Sequence, residues 1–573
     1  MKSYQYVYSL LWFNFSCRTK TDVAFDVGTR TTSRRFIPVM RRPSITVKPM
    51  IRRVLSMARR KSTREAELPP VQKNELMPAI HRGEAGQIDQ HVTFETLPDE
   101  VLLEIFTQDR LLSLGPWKWQ RLAHVCRRWR FLVFASPRRL ELRLYYTYQM
   151  PVTQDLSCWP PLPVAIFYPR FHTSGPSNHK DEDNVIAALE HRNRVCEINF
   201  ALTSSLLARS APLLQEPFPA LEQLRLRSRD SARRSLILPS AFLGGSAPRL
   251  REIHLHGIAF PALPQLLLST HHLVSLQLDE VPRTESLSPQ MLVNSLSAVP
   301  QIQSLKLHFT PSTSHPEQSD SRQPSTSSSY IILTFLAEFQ FKGASEYLED
   351  LVSKLDTPAL QNFCVTFSEQ PVLEIPQLSL FIGRTEQLRS PYKASIQFLV
   401  TDVAVTHQFQ ESMSQPEFRL QLSCRDWGRR VALLAHMFRQ LFPFLLCVER
   451  LDIKAFLVSS TRRQQDRIDP TQWLELFRPF RGVKSLEVTD ALARNIASAL
   501  EHASEGMSQD VFPGLCDLRL NRSRESFSAS ITKFIVARQL SGRPVSVHYR
   551  GERSPDHSGD GDQSLLVHGD SVE

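Results

Sequence analysis

FETLPDEVLLEIFTQDRLLSLGPWKWQRLAHVCRRWRFLVFASPRRLELRL, residues 94–144, carries more apolar surface than so short a unit can bury. Leu97-Pro98 followed by Asp99 and Glu100 marks a helix start. A proline costs nothing in a first turn, where its missing N–H has no partner, and acids suit the positive end of the helix dipole. Val101, Leu102, Ile105 and Phe106 then recur at helical spacing. A second helix is expected to carry Leu122, Val125, Cys126, Trp129, Leu132 and Val133, with Arg121, Arg127, Arg128 and Arg130 on its other face. About fifty residues cannot build a generous core, so the surplus Leu, Ile, Val and Trp suggest a partner surface.

These residues resemble the F-box. The family pattern is Leu-Pro near the start, an Ile-Phe pair ending the first helix and a Val-Cys-Arg-Arg-Trp-like core in the last; here they are Leu97-Pro98, Ile105-Phe106 and Val125-Cys126-Arg127-Arg128-Trp129. The resemblance covers about a tenth of the chain. It implies binding to the small adaptor of cullin–RING ubiquitin ligases and a substrate receptor that is not itself a catalyst. Under it, Leu97, Pro98, Val101, Ile105, Phe106, Val125 and Trp129 carry adaptor docking, partly as core and partly as contact. The bland alternative is an ordinary helical subdomain packed on the rest of the chain.

The chain has 573 residues, enough for two or more folding units. Its net charge of +10 is concentrated at one end. Residues 1–64 hold fifteen Lys or Arg against Asp22 and Asp26, and the remainder is slightly acidic. A nucleic-acid-binding domain carries its positive charge on a folded face, so no nucleic-acid partner is expected. Tyr8–Phe15 is too short to cross a bilayer and lacks a tidy cleavage site; no membrane partner is expected either. The Arg- and Ser-rich run to Arg64 reads as a solvated arm, with an organelle-import segment, a nuclear-import patch at Arg59-Arg60-Lys61 or a misassigned gene start as alternatives. The eight cysteines are scattered singly, with no zinc or redox spacing. They fit a reduced compartment, cytoplasmic and/or nuclear.

From about residue 185 a phrase recurs: apolar, two variable, apolar, one variable, apolar. It reads VCEINF at 195–200, LEQLRL at 221–226, LREIHL at 250–255, LVSLQL at 273–278, IQSLKL at 302–307, LAEFQF at 336–341, LQNFCV at 360–365, VERLDI at 448–453, VKSLEV at 483–488 and LCDLRL at 515–520. Most copies follow a proline or polar turn, as at Phe218-Pro219-Ala220 and Ala247-Pro248-Arg249. A long gap after the seventh copy holds weaker strand candidates, Ile396–Val400 and Phe418–Leu422. Helical segments intervene at Ser345–Leu355, Val431–Leu441 and Ala491–Ala503. A strand and a helix every 20 to 35 residues predict a leucine-rich-repeat-like solenoid, although most copies lack the asparagine or cysteine that normally follows the strand. Leu140, Leu142 and Leu144 alternate as a first strand would, and 151–180 reads as Pro-rich and irregular.

The fold class expected is therefore α/β. A basic, disordered arm and linker (1–90) leads into a small three-helix F-box unit (91–144). An irregular leucine-rich-repeat-like solenoid follows (145–550), with a disordered Ser/Pro/Gln-rich insertion at 310–329. An acidic disordered tail (551–573) ends the chain. This layout resembles that of fungal F-box proteins, in which the N-terminal unit precedes a degenerate repeat region.

No convergent catalytic set is legible, and no cofactor or metal is expected. His254 and His256 would share one strand face, but no third ligand completes a metal site. Gly244-Gly245-Ser246 has no Lys-Ser/Thr after it, so it is not a phosphate-cradling loop. The informative residues are those between the apolar positions, which face the opposite side of the sheet. Of these, Arg225, Arg227, His254, His256, Gln277 and Lys306 are the candidate substrate-binding residues, with Arg225 and Arg227 as anchors. The expected function is substrate receptor of an SCF-type cullin–RING ubiquitin ligase, with the adaptor, through it the cullin, and an unknown protein target as partners. Two rivals remain: a repeat scaffold whose helical unit only caps the solenoid, and a hydrolase or transferase with a dispersed site.

Overall fold

The computed structural model describes residues 97–112, 118–137, 139–146, 160–168, 179–230, 236–282, 287–310, 330–368, 373–409, 416–456, 468–505, 511–521 and 528–550. All lie within one compact unit, Thr93–Glu573. The basic arm, nearly all of the Ser/Pro/Gln-rich insertion and the acidic tail lie outside the described residues.

The first three helices are α1 (Asp99–Leu112), α2 (Lys118–Ala123) and α3 (Arg127–Ala135). The sequence predicted one helix across Leu122–Val133, but the chain breaks at Cys126, whose extended backbone (φ −155°, ψ 172°) places its sulfur to accept the Trp129 N–H. A side chain that caps a helix start ends the helix before it. Leu102, Leu103, Phe106, Trp119, Ala123, Leu132 and Val133 form the core of this unit, and the Phe106 and Trp129 rings meet at 4.7 Å. Arg128 ties α3 to the start of α1, donating from Nη2 to Leu97 O (2.6 Å) and Asp99 Oδ1 (2.5 Å).

The rest is a mixed α/β body built on one large sheet. The strands are β1 (Leu144–Tyr146), β2 (Val164–Tyr168), β3 (Val195–Leu202), β4 (Gln223–Ser228), β5 (Leu236–Ile237), β6 (Glu252–His256), β7 (Ile258–Ala259), β8 (Ser275–Val281), β9 (Ser304–Phe309), β10 (Ile331–Ile332), β11 (Glu338–Gly343), β12 (Leu355–Asp356) and β13 (Asn362–Phe367). They continue as β14 (Lys393–Phe398), β15 (Asp402–Gln408), β16 (Glu417–Ser423), β17 (Arg450–Ala455), β18 (Ser485–Thr489), β19 (Asp517–Asn521) and β20 (Ser546–Arg550). Sixteen pair into one sheet in nearly sequential order, while β5–β7 and β10–β12 form two small separate pairs. The further helices are α4 (His179–Leu189), α5 (Ser204–Leu214), α6 (Leu263–Leu267), α7 (Pro289–Leu296), α8 (Ser345–Val352), α9 (Pro376–Arg384), α10 (Trp427–Gln440), α11 (Phe442–Leu445), α12 (Pro470–Phe477), α13 (Asp490–Glu505) and α14 (Ser528–Leu540).

Each recurrent phrase supplies a strand, and its first apolar residue closes the turn before it. Leu221 N–H donates to Phe218 O at 3.1 Å, Leu250 to Ala247 O at 3.1 Å, Leu360 to Thr357 O at 3.2 Å and Leu515 to Phe512 O at 3.0 Å. The second and third apolar residues then stack in register across strands: Leu224, Ile253, Leu276, Leu305, Phe339, Phe363 and Phe418 form one row. All are buried. Alternation along a strand sends the intervening residues to the opposite face, as the buried–half-buried pattern of β6 and β9 records.

Several strands fall outside the expected pattern, among them β20 and the two small pairs. Leu140 and Leu142 are buried in turns rather than in a strand, because their N–H groups go to Ser136 O and Pro137 O; only Leu144 joins β1. Within the stretch read as irregular, β2 forms between prolines. In the long gap, β14 and β16 fit the weak candidates, but β15 runs antiparallel between them and reverses their spatial order.

The reversal places loop carbonyls where neighbouring strands cannot reach them, and buried carbonyls need donors. Arg430, buried on α10, supplies them. It donates to Leu399 O (2.8 Å), Val400 O (2.7 Å) and Arg425 O (3.2 Å), and also to Cys424 O. Arg384 does the same for Val352 O and Leu355 O, both at 2.5 Å. Replacing Arg430 with Met should strip four carbonyls, one buried and three part-buried, of their shared donor and cost about 3 kcal/mol, read as a lowered urea midpoint; an unchanged midpoint contradicts this role.

His407 on β15 is fully buried among Phe418 (5.4 Å, stacked) and Phe444 (5.1 Å, edge-on). Burial lowers its pKa to about 3, partly opposed by a polar contact with the Phe418 backbone. The unfolded chain, with an ordinary value of about 6.5, takes up that proton first. Stability from this site is therefore complete above about pH 6.5 and falls as pH drops toward 3, by up to about 1.4 kcal/mol per unit. His407→Leu should flatten the loss of unfolding free energy between pH 6.5 and 5; an unchanged slope contradicts the assignment.

Candidate functional site

Two surfaces carry the sequence-derived candidates. On the helical unit, the seven adaptor candidates separate by burial. Phe106 is buried, Leu97, Ile105 and Trp129 are half-buried, and Pro98, Val101 and Val125 are exposed. Leu97 and Trp129 pack against the apolar core. Val101 keeps 40 % and Val125 59 % of its surface in solvent. Phe131, which sequence reading did not single out, is the most exposed aromatic of the unit among the described residues, at 72 %. Its signal was the helical phase: once α3 starts at Arg127, Phe131 falls between the buried Leu132–Val133 stripe and the solvent side.

The inner side of the same unit is closed by the body. Trp119 Nε1 donates to Arg143 O at 3.1 Å, just before β1. The Arg143 guanidinium reaches on to Glu197 (3.1 Å) and Glu222 (3.2 Å). Burial raises the Glu197 pKa and Arg143 opposes that rise. One continuous apolar core runs from Leu102 and Phe106 through Leu140, Leu142 and Leu144 into the sheet.

The second surface is the polar face of the sheet. Register places Arg225, His254, Gln277 and Lys306 in one transverse row on β4, β6, β8 and β9. Arg227 and His256 face each other one step further along. The structure thus brings all six substrate-binding candidates onto one face. It also engages most of them with neighbours. Arg225 pairs with Glu252 at 2.8 Å and Lys306 with Glu338 at 3.1 Å. His256 lies 3.6 Å from Glu280.

Asp279, which is not among the sequence-derived candidates, is its hub. Its carboxylate lies 2.9 Å from His254 Nε2 and 2.9 Å from His308 Nδ1, and it accepts Gln277 Nε2 at 2.5 Å. Burial alone would raise its pKa, but the hydrogen bonds from His254, His308 and Gln277 outweigh burial and hold the carboxyl far below the usual carboxylate range. Glu338 is held low in the same way, its desolvation outweighed by Ser304 and Lys306. A concavity of about 360 Å³ opens on this face, lined by Arg225, Glu252, Ile253, His254, Ser275 and Gln277. Among the described residues, no three His, Cys, Asp or Glu side chains converge to hold a metal ion, and no helix is long and apolar enough to cross a membrane.

Residues 94–138 match the F-box-like family. No curated protein matches the chain. An F-box-like segment implies binding to the small adaptor of SCF-type ubiquitin ligases and, through it, to the cullin; such segments are typically non-catalytic docking modules.

The helical unit should respond to mutation in two ways. Phe106→Ala removes a fully buried ring and should cost roughly 3–5 kcal/mol, whereas Phe131→Ala, with most of its surface already in solvent, should stay within about 0.5 kcal/mol. Urea denaturation of the full chain measures both, and equal costs would contradict the division into core and contact.

Proposed function

We propose that this chain is the substrate-receptor subunit of an SCF-type cullin–RING ubiquitin ligase. The helical unit, 91–144, docks on the adaptor, and the body, 145–550, holds the target protein. We read that body as an irregular leucine-rich-repeat-like solenoid of the kind joined to F-boxes in fungi. Its supports are strand–turn–helix units that follow one another in chain order, each covering its neighbour's apolar face.

One observation carries the docking assignment. The unit is closed on its inner side by Arg143 and the sheet core, while Val101, Val125 and Phe131 stay in solvent. A unit that merely capped the sheet would turn its apolar surplus inward. Exposed apolar side chains on a small polar-rimmed unit mark a protein-binding surface. The mechanism is approximation: adaptor and cullin bring a ubiquitin-conjugating enzyme to a target held on the polar sheet face, raising its effective concentration. The receptor contributes position and no bond-making group. Arg225, Arg227, His254, His256, Gln277 and Lys306 are the proposed target contacts. The charged pairs across this face are mixed in sign, which suits a protein ligand better than a polyanion.

Val101→Glu combined with Phe131→Glu should reduce adaptor recovery at least tenfold in co-purification while leaving the melting temperature within a few degrees of wild type. Burial of two such side chains is worth about 1.5–3 kcal/mol each, ample for that loss. Undiminished recovery would remove the mechanism.

A further inference from the structure

The concavity on the polar face lies at the centre of the proposed target-binding row. We propose that it receives a cationic side chain, lysine or arginine, from the target protein. The proposal rests on the receptor reading above and adds the chemistry of the segment recognised.

Some of the hydrogen-bonding groups at the cavity are already engaged. Arg225 Nη2 donates to Glu252 Oε2 at 2.8 Å, and Glu252 Oε1 has no such bond among the described residues. Gln277 commits its amide nitrogen to Asp279, which leaves its carbonyl oxygen as an acceptor. His254 places Nε2 against the same carboxylate at 2.9 Å. Ser275, which lines the cavity, has a hydroxyl that accepts as readily as it donates. The uncommitted valences at the cavity are therefore mostly acceptors: a carboxylate oxygen, an amide oxygen and a hydroxyl.

Charge agrees with valence. Arg225 is balanced by Glu252, and Asp279 adds a second carboxylate directly behind His254 and Gln277. Arg225 is thus one guanidinium among two carboxylates, Glu252 and Asp279. Ammonium and guanidinium groups are donors only, with three and five N–H groups, so they match this set, whereas an acidic or phosphorylated side chain would meet Glu252. Charge-assisted bonds to such a group are among the stronger available. The volume of about 360 Å³ is at the small end of ligand sites and suits one long side chain rather than a folded surface. Arg225 plays the internal competitor: it occupies Glu252 until a target cation takes its place.

The test uses the full chain co-purified with its adaptor and immobilised at pH 7.5. The probe is an array of peptides with randomised flanks that differ at one central position: Lys, Arg, Gln, Ala, Glu or phosphoserine. Central Lys or Arg should bind at least tenfold better than Glu or phosphoserine. Glu252→Gln should erase most of that preference, while Arg225→Gln should strengthen Lys binding several-fold by freeing Glu252. Both positions are solvent-accessible, and melting curves verify that the variants fold. A preference for acidic or phosphorylated peptides, an unaltered preference in Glu252→Gln, or no retained peptide would each overturn the proposal. Adaptor recovery from the same preparation separates the two claims, since its loss strikes the receptor reading and its retention without a cationic preference strikes this one alone.

Discussion

In-register parallel stacking is the constraint on which the rest of this structure depends. A strand that repeats apolar residues two apart can bury only one face, and its neighbour must present the same pattern at the same register to continue the core. The row from Leu224 to Phe418 satisfies that demand across seven strands. Helices cover the apolar side, packing as successive neighbours such as α7 on α8 and α8 on α9. What remains is a polar face whose residues the fold does not need for its core. Its composition is set instead by cross-strand pairing, and that is where the Asp279 hub and the cavity beside it arise.

The stack is not uniform, and its irregularity is held by specific chemistry. Where β15 reverses direction, a buried arginine binds the stranded carbonyls and a buried neutral histidine packs among aromatic rings. Elsewhere, repeating units approach closely: a Cβ on Gly482 would sit 2.2 Å from Leu446 O, so the turns before β17 and β18 can be neighbours only with glycine there. These devices explain how units of unequal length share one sheet.

Much of this was legible in the sequence, for a physical reason. The phrase of three apolar residues reports local alternation, so all ten copies correspond to strands and the residues between them to the polar face. The misses arose where local pattern and tertiary context part company. Prolines at 160, 161 and 163 masked β2, because proline punctuates loops as often as it precedes strands. The run Val403-Ala404-Val405 is strand-like, but its antiparallel direction is set by the turn before it and the space between β14 and β16. The helix break at Cys126 depended on a weak sulfur cap, and with it the exposure of Phe131. On the polar face, the sequence pointed to His254 and Gln277 but not to Asp279 as their hub, since hydrogen-bond pairing across strands requires register that one sequence does not print.

The helical unit joins these two halves of the account. It is fused to the first strand through Trp119 and Arg143 and continuous with the core, so an adaptor seated on it would hold the sheet in a fixed orientation. The most direct measurement is affinity purification of the tagged, full-length chain followed by mass spectrometry. Adaptor and cullin peptides should be recovered in amounts comparable to the bait. A folded bait recovered without either would contradict the account at its centre.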